Sequence, residues 1–584
     1  MKVTAGLVLA GVLLFGASFN DPFHFDDSQI TNDSNVTNPA RWGHFFSPLH
    51  LRQLTFSTFY LNHLAGGMNP AGYHAVNVAI HIANAVLLYW LLVRFVDAWI
   101  AIAAAAIFLA HPIQTEAVLY VYQRSTLLAC LFSLLGLLAW ADGRNWRAAL
   151  MFFLAFESKE SALAVPLAVA LLGKRSASRI SIWRLRDVER TTPSAPASEA
   201  SRHLLDGAAT PPSLGGEWHG LRPMTVFIGV ALFAVGAIAL LAYRNENTVG
   251  IGAAGTISPF RYLLTETRVF FTYLRLLVFP YPQSLEYDFR DAGGVITALA
   301  VTAIIAAAYF LRQPLILAFF VLLAPTSSVI PSADAAFEHR LYLPMLAFSL
   351  LAALLLAKTP RRTPIAIGLL AILAILTLRR ETVWSSDVAL WEDAVRHAPG
   401  KARVWFNLGG AYLNSDPEKA RAAFQSALAL QPQFPEALYD LGVIEQNRNN
   451  WSLALAYYER AIMQQDDYWP AWNNMGNTLF AMGERNRALD YFQKTLRLNP
   501  DYWPAQYNTA IVYFISGRYA EAVPRLRTVL DWRPDFREAR YLLATSLTRT
   551  GDRSAAVEEW KKLGETTAAE SRHTPTMILA PNRP

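Results

Sequence analysis

Uncharged apolar stretches of roughly 20 residues recur along the first two thirds of the chain, and no other feature limits its fold as tightly. They fall at 3–19, 72–93, 98–114, 125–141, 224–243, 293–311, 314–331, 341–357 and 364–378. In hydrocarbon every backbone N–H and C=O must be satisfied within its own segment, so such stretches read as spanning helices. Of the 584 residues, 53% are hydrophobic and 16% charged, which is too apolar for an ordinary soluble protein and too long for one domain. Cys130 is the single cysteine, which excludes an internal disulfide framework and a cysteine-based zinc site. The net charge of +6 lies in short inter-helix loops, an arrangement that gives no footprint for nucleic acid. The first stretch has features of a cleaved signal peptide, with Lys2 before the apolar run and small residues in "GAS". Because a loop and further helices follow as in a bundle, it reads here as an uncleaved anchor.

The positive-inside rule orients the helices. Lys2, Arg94, Arg144, Arg147, the basic run "GKRSASRISIWRLR", Arg312 and "KTPRR" belong inside. To keep both flanks of 148–173 inside, that run must be two short helices, 148–156 and 162–173, turning at "ESKES" near the outer surface. Residues 174–223 are then a cytoplasmic loop, flexible over the Pro-, Ala- and Ser-rich 191–220. Segment 258–280 carries Arg261, Arg268 and Arg275 seven apart. An arginine at the bilayer centre costs about 3 kcal/mol on insertion scales, so this segment reads as an interfacial or cavity-lining helix on the outer side. Eleven crossings result, with everything after Arg380 outside. Arg379 and Arg380 break the rule, and nothing beyond their proximity to the next domain accounts for them.

This orientation places polar clusters on one face. Asp26 and Asp27 lie in the first outer loop, "DPFHFDDSQI". His111, Glu116 and Arg124 lie in "HPIQTEAVLYVYQRS", Glu157, Lys159 and Glu160 in "ESKES", and Glu338, His339 and Arg340 in "EHRLYLP". Any one cluster alone is an ordinary solvated loop end. Together, facing mainly basic loops on the other side, they point to a site, because ionisable groups at membrane edges are expensive. Adjacent carboxylates titrate as a coupled pair and supply a general base, while Lys, Arg and His neutralise a departing phosphate. Inverting glycosyl transfer from a lipid phosphate needs that division. No Walker loop or dinucleotide fingerprint is present, which argues against a nucleotide-fuelled pump.

From about residue 385 a period of 34 appears in Ala420, Ala454, Ala488, Ala522 and Ala556, with Phe424, Tyr458, Phe492, Leu526 and Trp560 four residues later. Gly409, Gly442, Gly476, Ala510 and Ala544 mark the first helices, and Pro432, Pro500 and Pro534 close repeats. Small residues where paired helices touch, aromatics between them and proline at the turn define the tetratricopeptide pattern. "WEDAVRHAPG" reads as the second helix of an earlier, incomplete repeat. Asn407, Asp440, Asn474 and Asn508 recur at one first-helix position. A row of such groups on a concave face suits an extended peptide backbone, and equally asparagine suits this position in the repeat for packing alone. The repeated "DYWPA" reads as packing of the inter-repeat turn.

The order of "FHFDDSQITNDSNV", "GYHAVNVAIHIANAVLLY", "HPIQTEAVLYVYQRS", "ESKESALAVP", "YLRLLVFPYPQSLEYDF" and "EHRLYLP", followed by tetratricopeptide repeats, resembles the transmembrane and tetratricopeptide repeat-containing O-mannosyltransferases and their bacterial relatives. The resemblance implies a multi-spanning glycosyltransferase that uses a polyprenyl-phosphate sugar on the lumenal or periplasmic side. It implies an acidic catalytic residue in the first outer loop, on Asp26 or Asp27. Relatives commonly carry a mixed acidic pair there, so two aspartates leave the choice open.

The reading is thus an all-α chain: a polytopic membrane domain over 1–380, a tetratricopeptide α-solenoid over 385–566 on the outer side, and a disordered tail over 567–584. The expected function is transfer of a sugar, mannose on the resemblance, from a polyprenyl phosphate to Ser or Thr of a polypeptide. Asp26 or Asp27 is the base. Lys159 and Arg340, helped by His339 or Arg124, hold the phosphate; His111, Glu116, Glu157, Glu160 and Glu338 line the site. Asn407, Asp440, Asn474 and Asn508 meet the acceptor. No metal or other cofactor is required, although the sequence does not exclude a divalent metal. The expected partners are the lipid donor, the polypeptide and membrane lipid, in a bacterial inner membrane with the repeats periplasmic. The alternative is a non-catalytic membrane scaffold whose repeats recruit proteins, which leaves the one-sided charges unexplained. A transporter would place polar residues mid-span, and a lipid-linked glycan stands as a second acceptor class.

Overall fold

The computed structural model describes residues 1–24, 27, 30, 36, 52–169, 258–289, 294–327, 336–564 and 577. Asp26, the loop 174–223, the stretch 224–243 and most of the tail 567–584 lie outside the described residues. The described residues are nearly all helical, with no strand among them. They divide into two compact units, Met1–His397 and Ala398–Pro584.

In the first unit four helices are long and apolar enough to cross a membrane: Lys2–Asn20, Pro70–Leu92, Val121–Ala141 and Arg362–Trp384. A fifth candidate is the pair Ala98–Ala110 and Pro112–Leu119, bent by 51°. Proline explains the bend. It has no N–H to continue the ladder and forces the residue before it into extended geometry, and His111 has φ −74° and ψ 125°. Gly294–Phe310, Pro314–Leu323 and Pro344–Ala357 are apolar but shorter. Among the described residues the clear spans are therefore fewer than the eleven crossings expected. The first helix approaches Pro70–Leu92 through Gly11, where an added Cβ would sit 2.4 Å from Ile82 Cγ1. Small residues at helix contacts serve close membrane packing in this way.

The expected break after residue 156 falls at Lys159. Helix Asn145–Ser158 stops there, Lys159 is extended at φ −161° and ψ 130°, and a 3-10 turn Glu160–Leu163 follows. Pro259–Val278 is a single helix capped by Ser258, whose Oγ accepts the Arg261 N–H at 3.3 Å. Its last-turn Arg275 donates to the carbonyls of Tyr281 and Pro282.

The second unit is built of helix pairs, from Ala402–Tyr412 with Pro417–Leu430 to Arg537–Thr550 with Arg553–Leu563. All five period-34 alanines are buried. The glycine in each of the first three pairs faces the aromatic of its partner helix. A Cβ on Gly409, Gly442 or Gly476 would lie 2.5, 2.4 or 2.6 Å from the ring of Phe424, Tyr458 or Phe492. In the fourth pair the corresponding residues are Ala510 and Leu526 and in the fifth Ala544 and Trp560, all buried, so these pairs are built to take a methyl at the contact. "DYWPA" packs the turns, with Trp469 and Tyr502 ring centroids 4.4 Å apart. Gly442→Ala should overpack this contact and cost the solenoid about 1–3 kcal/mol in urea unfolding. The double variant Gly442→Ala/Tyr458→Leu should recover part of the loss; a single variant as stable as the wild type would refute the packing account.

Candidate functional site

The site is organised around the short turn Val121–Gln123, which precedes helix Arg124–Ala141. Asp27 is fully buried. Its Oδ1 accepts the Tyr122 N–H at 2.7 Å and its Oδ2 accepts the His24 N–H at 3.0 Å. Burial outweighs these two bonds and pushes the Asp27 carboxyl up to about 7. The next residue of the turn, Gln123, accepts from Lys159 Nζ at 3.2 Å, and Thr126 accepts from the same nitrogen at 2.6 Å. The turn thus joins the first-loop carboxylate to the cation of "ESKES".

Lys159, His339 and Arg340 line one cleft together with Thr126, Ser161, Thr326, Leu322 and Leu343. Burial and the neighbouring charges of Arg52 and Arg340 push Lys159 down to about 7. Arg340 donates to Glu266 Oε1 at 3.2 Å, from helix Pro259–Val278, and lies over the Phe337 ring. Glu266 and its pairing have no signal in the sequence beyond a lone acid on a helix with three arginines. Glu160 is bound twice by Arg52, at 2.9 and 3.3 Å. Burial alone would raise the Glu160 carboxyl, but the Arg52 charge prevails and holds it at about 2.

Glu116 carries His339. Its Oε1 lies 2.5 Å from His339 Nδ1, and its Oε2 accepts the Glu338 N–H at 2.8 Å. Glu338 instead braces the segment after the Pro259–Val278 helix. It accepts from Gln283 Nε2 at 2.8 Å, Ser284 N–H at 3.1 Å and the Tyr287 hydroxyl at 2.5 Å. Burial raises the Glu338 carboxyl to about 7.

Two expected site residues are placed away from a ligand-binding role. Arg124 is fully buried and spends its guanidinium on Asn77, Thr58, Asn62 and the Tyr73 carbonyl. With its hydrogen-bonding directions taken up in packing, it holds the turn rather than a phosphate. His111 is likewise engaged at both ring nitrogens, by the Leu277 carbonyl and the Ile113 N–H. Glu157 is partly exposed on the last turn of its helix. Arg380, anomalous by the charge rule, is buried and donates to Asp393 at 2.9 Å and to the Gln283 carbonyl at 3.3 Å. Pairing removes the objection that its charge raised. His24, which the sequence reading passed over, lies 2.8 Å from Asp387. Among the described residues no group of three His, Cys, Asp or Glu side chains is set to hold a metal ion.

In the solenoid the recurring amides are buried rather than displayed. Asn474 donates to the Tyr439 hydroxyl at 2.9 Å and accepts from Asn473 and Asn477. Asn508 donates to Asn477 at 3.0 Å. Asn407 and Asp440 are buried at the same register position in the earlier pairs. This ladder engages Asn474 and Asn508 in contacts within the solenoid.

Tetratricopeptide repeat models match residues 414–469, 469–502 and 513–573. Protein O-mannosyl-transferase F38B6.6 of Caenorhabditis elegans is 23% identical over 74% of this chain and 63% of its own length. Protein O-mannosyl-transferase TMTC3 of Mus musculus is 24% identical over 70% of this chain and 47% of its own. Protein O-mannosyl-transferase TMTC1 of Homo sapiens is 34% identical over 23% of this chain and 18% of its own. The chain therefore spans less than two thirds of the length of these curated relatives. A transmembrane bundle, a run of tetratricopeptide repeats and these matches make the chain a homologue of the TMTC-type protein O-mannosyl-transferases.

Proposed function

We propose that the chain is a membrane glycosyltransferase that moves a sugar, mannose by homology, from a polyprenyl phosphate to a Ser or Thr hydroxyl of a polypeptide. The observation that carries this reading is the cleft of Lys159, Arg340 and His339, cations and a titratable ring brought together from separate chain segments beside neutral donors. Such a cleft suits the phosphodiester of a polyprenyl-phosphate sugar, whose charge grows as the sugar leaves and the phosphate monoester forms. The first-loop carboxylates supply the base, and inversion follows from attack opposite the phosphate. Both Asp27 oxygens serve backbone amides, which supports Asp26 as the proton acceptor and Asp27 as the residue that shapes its loop. The clefted side of the bundle faces the periplasm of a bacterial inner membrane, and the solenoid presents the acceptor there.

The experiment is sugar transfer in membranes holding the wild type, Asp26→Asn, Asp27→Asn or both, supplied with labelled polyprenyl-phosphate mannose. Label should enter protein with the wild type, and Asp26→Asn should lower the rate by at least 100-fold. Label appearing in lipid-linked glycan instead would replace the acceptor, and a fully active double variant would reject the carboxylate mechanism.

Lys159 gives a second expectation. Because its ammonium is held down to about 7, the empty cleft loses that charge as pH rises through 7. Farnesyl phosphate, a short polyprenyl monophosphate, should bind about 10-fold more weakly at pH 8.5 than at pH 6.5. Lys159→Met should bind weakly at both values, and an affinity unaffected by the substitution would remove Lys159 from the phosphate site.

A further inference from the structure

His339 is held from one side and open on the other. Its Nδ1 is shared with Glu116 at 2.5 Å, its ring stacks on Phe337 with centroids 5.0 Å apart, and the residue lines the phosphate cleft. No hydrogen bond is made by Nε2 to any described residue. The backbone N–H of Glu338 fixes the second Glu116 oxygen, so the carboxylate cannot swing away without losing both bonds. A carboxylate on one imidazole nitrogen sets which tautomer the ring adopts and raises the basicity of the other nitrogen.

We propose that Glu116 is a positioning residue that acts through His339, so that a phosphate entering the cleft draws a proton onto His339 Nε2. The proposal rests on the phosphate-cleft reading above and assigns the pair a proton-handling role within it. The charged groups around the ring come from every neighbouring element. Glu116 is on Thr115–Leu119, Lys159 follows Asn145–Ser158, and Arg52 precedes Gln53–Gly66. Arg340 and Glu338 are on the ring's own turn, and Glu266 on Pro259–Val278 neutralises part of Arg340. In the empty cleft, burial and the charges of Lys159, Arg340 and Arg52 keep His339 neutral. Its Nε2 then presents a lone pair, which repels an anion. A phosphate reverses the local field, and with Glu116 already on Nδ1 the ring takes a proton and becomes a donor.

The transfer step then balances. The bond between the anomeric carbon and the phosphate oxygen breaks, leaving its electron pair on oxygen. That oxygen takes the Nε2 proton, the acceptor oxygen bonds the anomeric carbon, and the acceptor proton passes to the first-loop carboxylate. Neutral His339 regains its proton when the next phosphate binds.

The test is calorimetric titration of the detergent-solubilised full chain with farnesyl phosphate at pH 7.5, in two buffers of different ionisation enthalpy. Their difference gives the protons taken up on binding. The wild type should take up about one proton more than His339→Gln. Uptake linked to Lys159 is common to both proteins, and because burial pushes the Glu116 carboxyl up to about 7, the difference reports the Glu116–His339 pair. Glu116→Gln should match His339→Gln, because its amide donates to Nδ1 and transfers the neutral proton to Nε2. Thermal unfolding midpoints close to wild type identify variants that remain folded. In the mannose-transfer assay Glu116→Gln and His339→Gln should each lower kcat about 100-fold with KM for the donor within about threefold, and the double variant should be no slower than either. Equal proton uptake by all three proteins, or additive losses in the double variant, would overturn the proposal. Binding without any transfer by the wild type would reject the transferase reading alone, with proton uptake still deciding for His339. An absence of binding by the wild type would reject both.

Discussion

A buried guanidinium with no carboxylate bonded to it holds the membrane unit's site together. Burying Arg124 is expensive, since an ion taken from water loses several kcal/mol even after relaxation. The cost is met by neutral acceptors on two helices, Thr58 and Asn62 on one and Asn77 and the Tyr73 carbonyl on the other, with the Phe59 ring 4.7 Å from the charge. Removing any of these would leave a desolvated donor, so the network favours one arrangement of three helices. The turn that precedes Arg124 inherits that rigidity. Tyr122 then reaches Asp27 and Gln123 reaches Lys159 at hydrogen-bonding distance.

Other buried charges divide by the same logic. Arg340 with Glu266 and Arg380 with Asp393 are pairs in which each ion offsets the burial of the other, and Arg52 with Glu160 is a partly exposed pair. Lys159 is different. Its partners are a side-chain carbonyl and a hydroxyl, and two guanidinium groups stand near it. In the proposed function an arriving phosphate anion would supply the negative charge that the direct partners of Lys159 do not carry. The breaks in the helices serve this arrangement. The extended Lys159 ends its helix at the cleft and Pro112 ends its helix within packed protein, the settings in which irregular backbone is tolerated at membrane depth.

The solenoid obeys a simpler rule, one helix pair per period and a core made between neighbours. Its buried amides bond from one helix pair to the next. Asn473, Asn474, Asn477 and Asn508 satisfy one another, and Asn474 also satisfies Tyr439.

Period and hydropathy are local properties, so the sequence by itself determined the helical class, the succession of apolar helices and repeats, and the break at "ESKES", while the division between the two compact units falls after His397. The grouping of Lys159, His339 and Arg340 was legible in outline, because all three fall at ends of apolar stretches that one topology puts on one face. Which of these polar residues are free to act was decided by tertiary structure alone. Arg124, His111 and Glu338 resemble site residues in sequence and are consumed by partners far along the chain, such as Leu277 for His111 and Gln283 for Glu338. Glu116 resembles a lining residue and instead holds His339 across 223 positions. A hydrogen bond is short-ranged and directional, so its partner is set by the packing of distant helices, and no spacing along the chain encodes it.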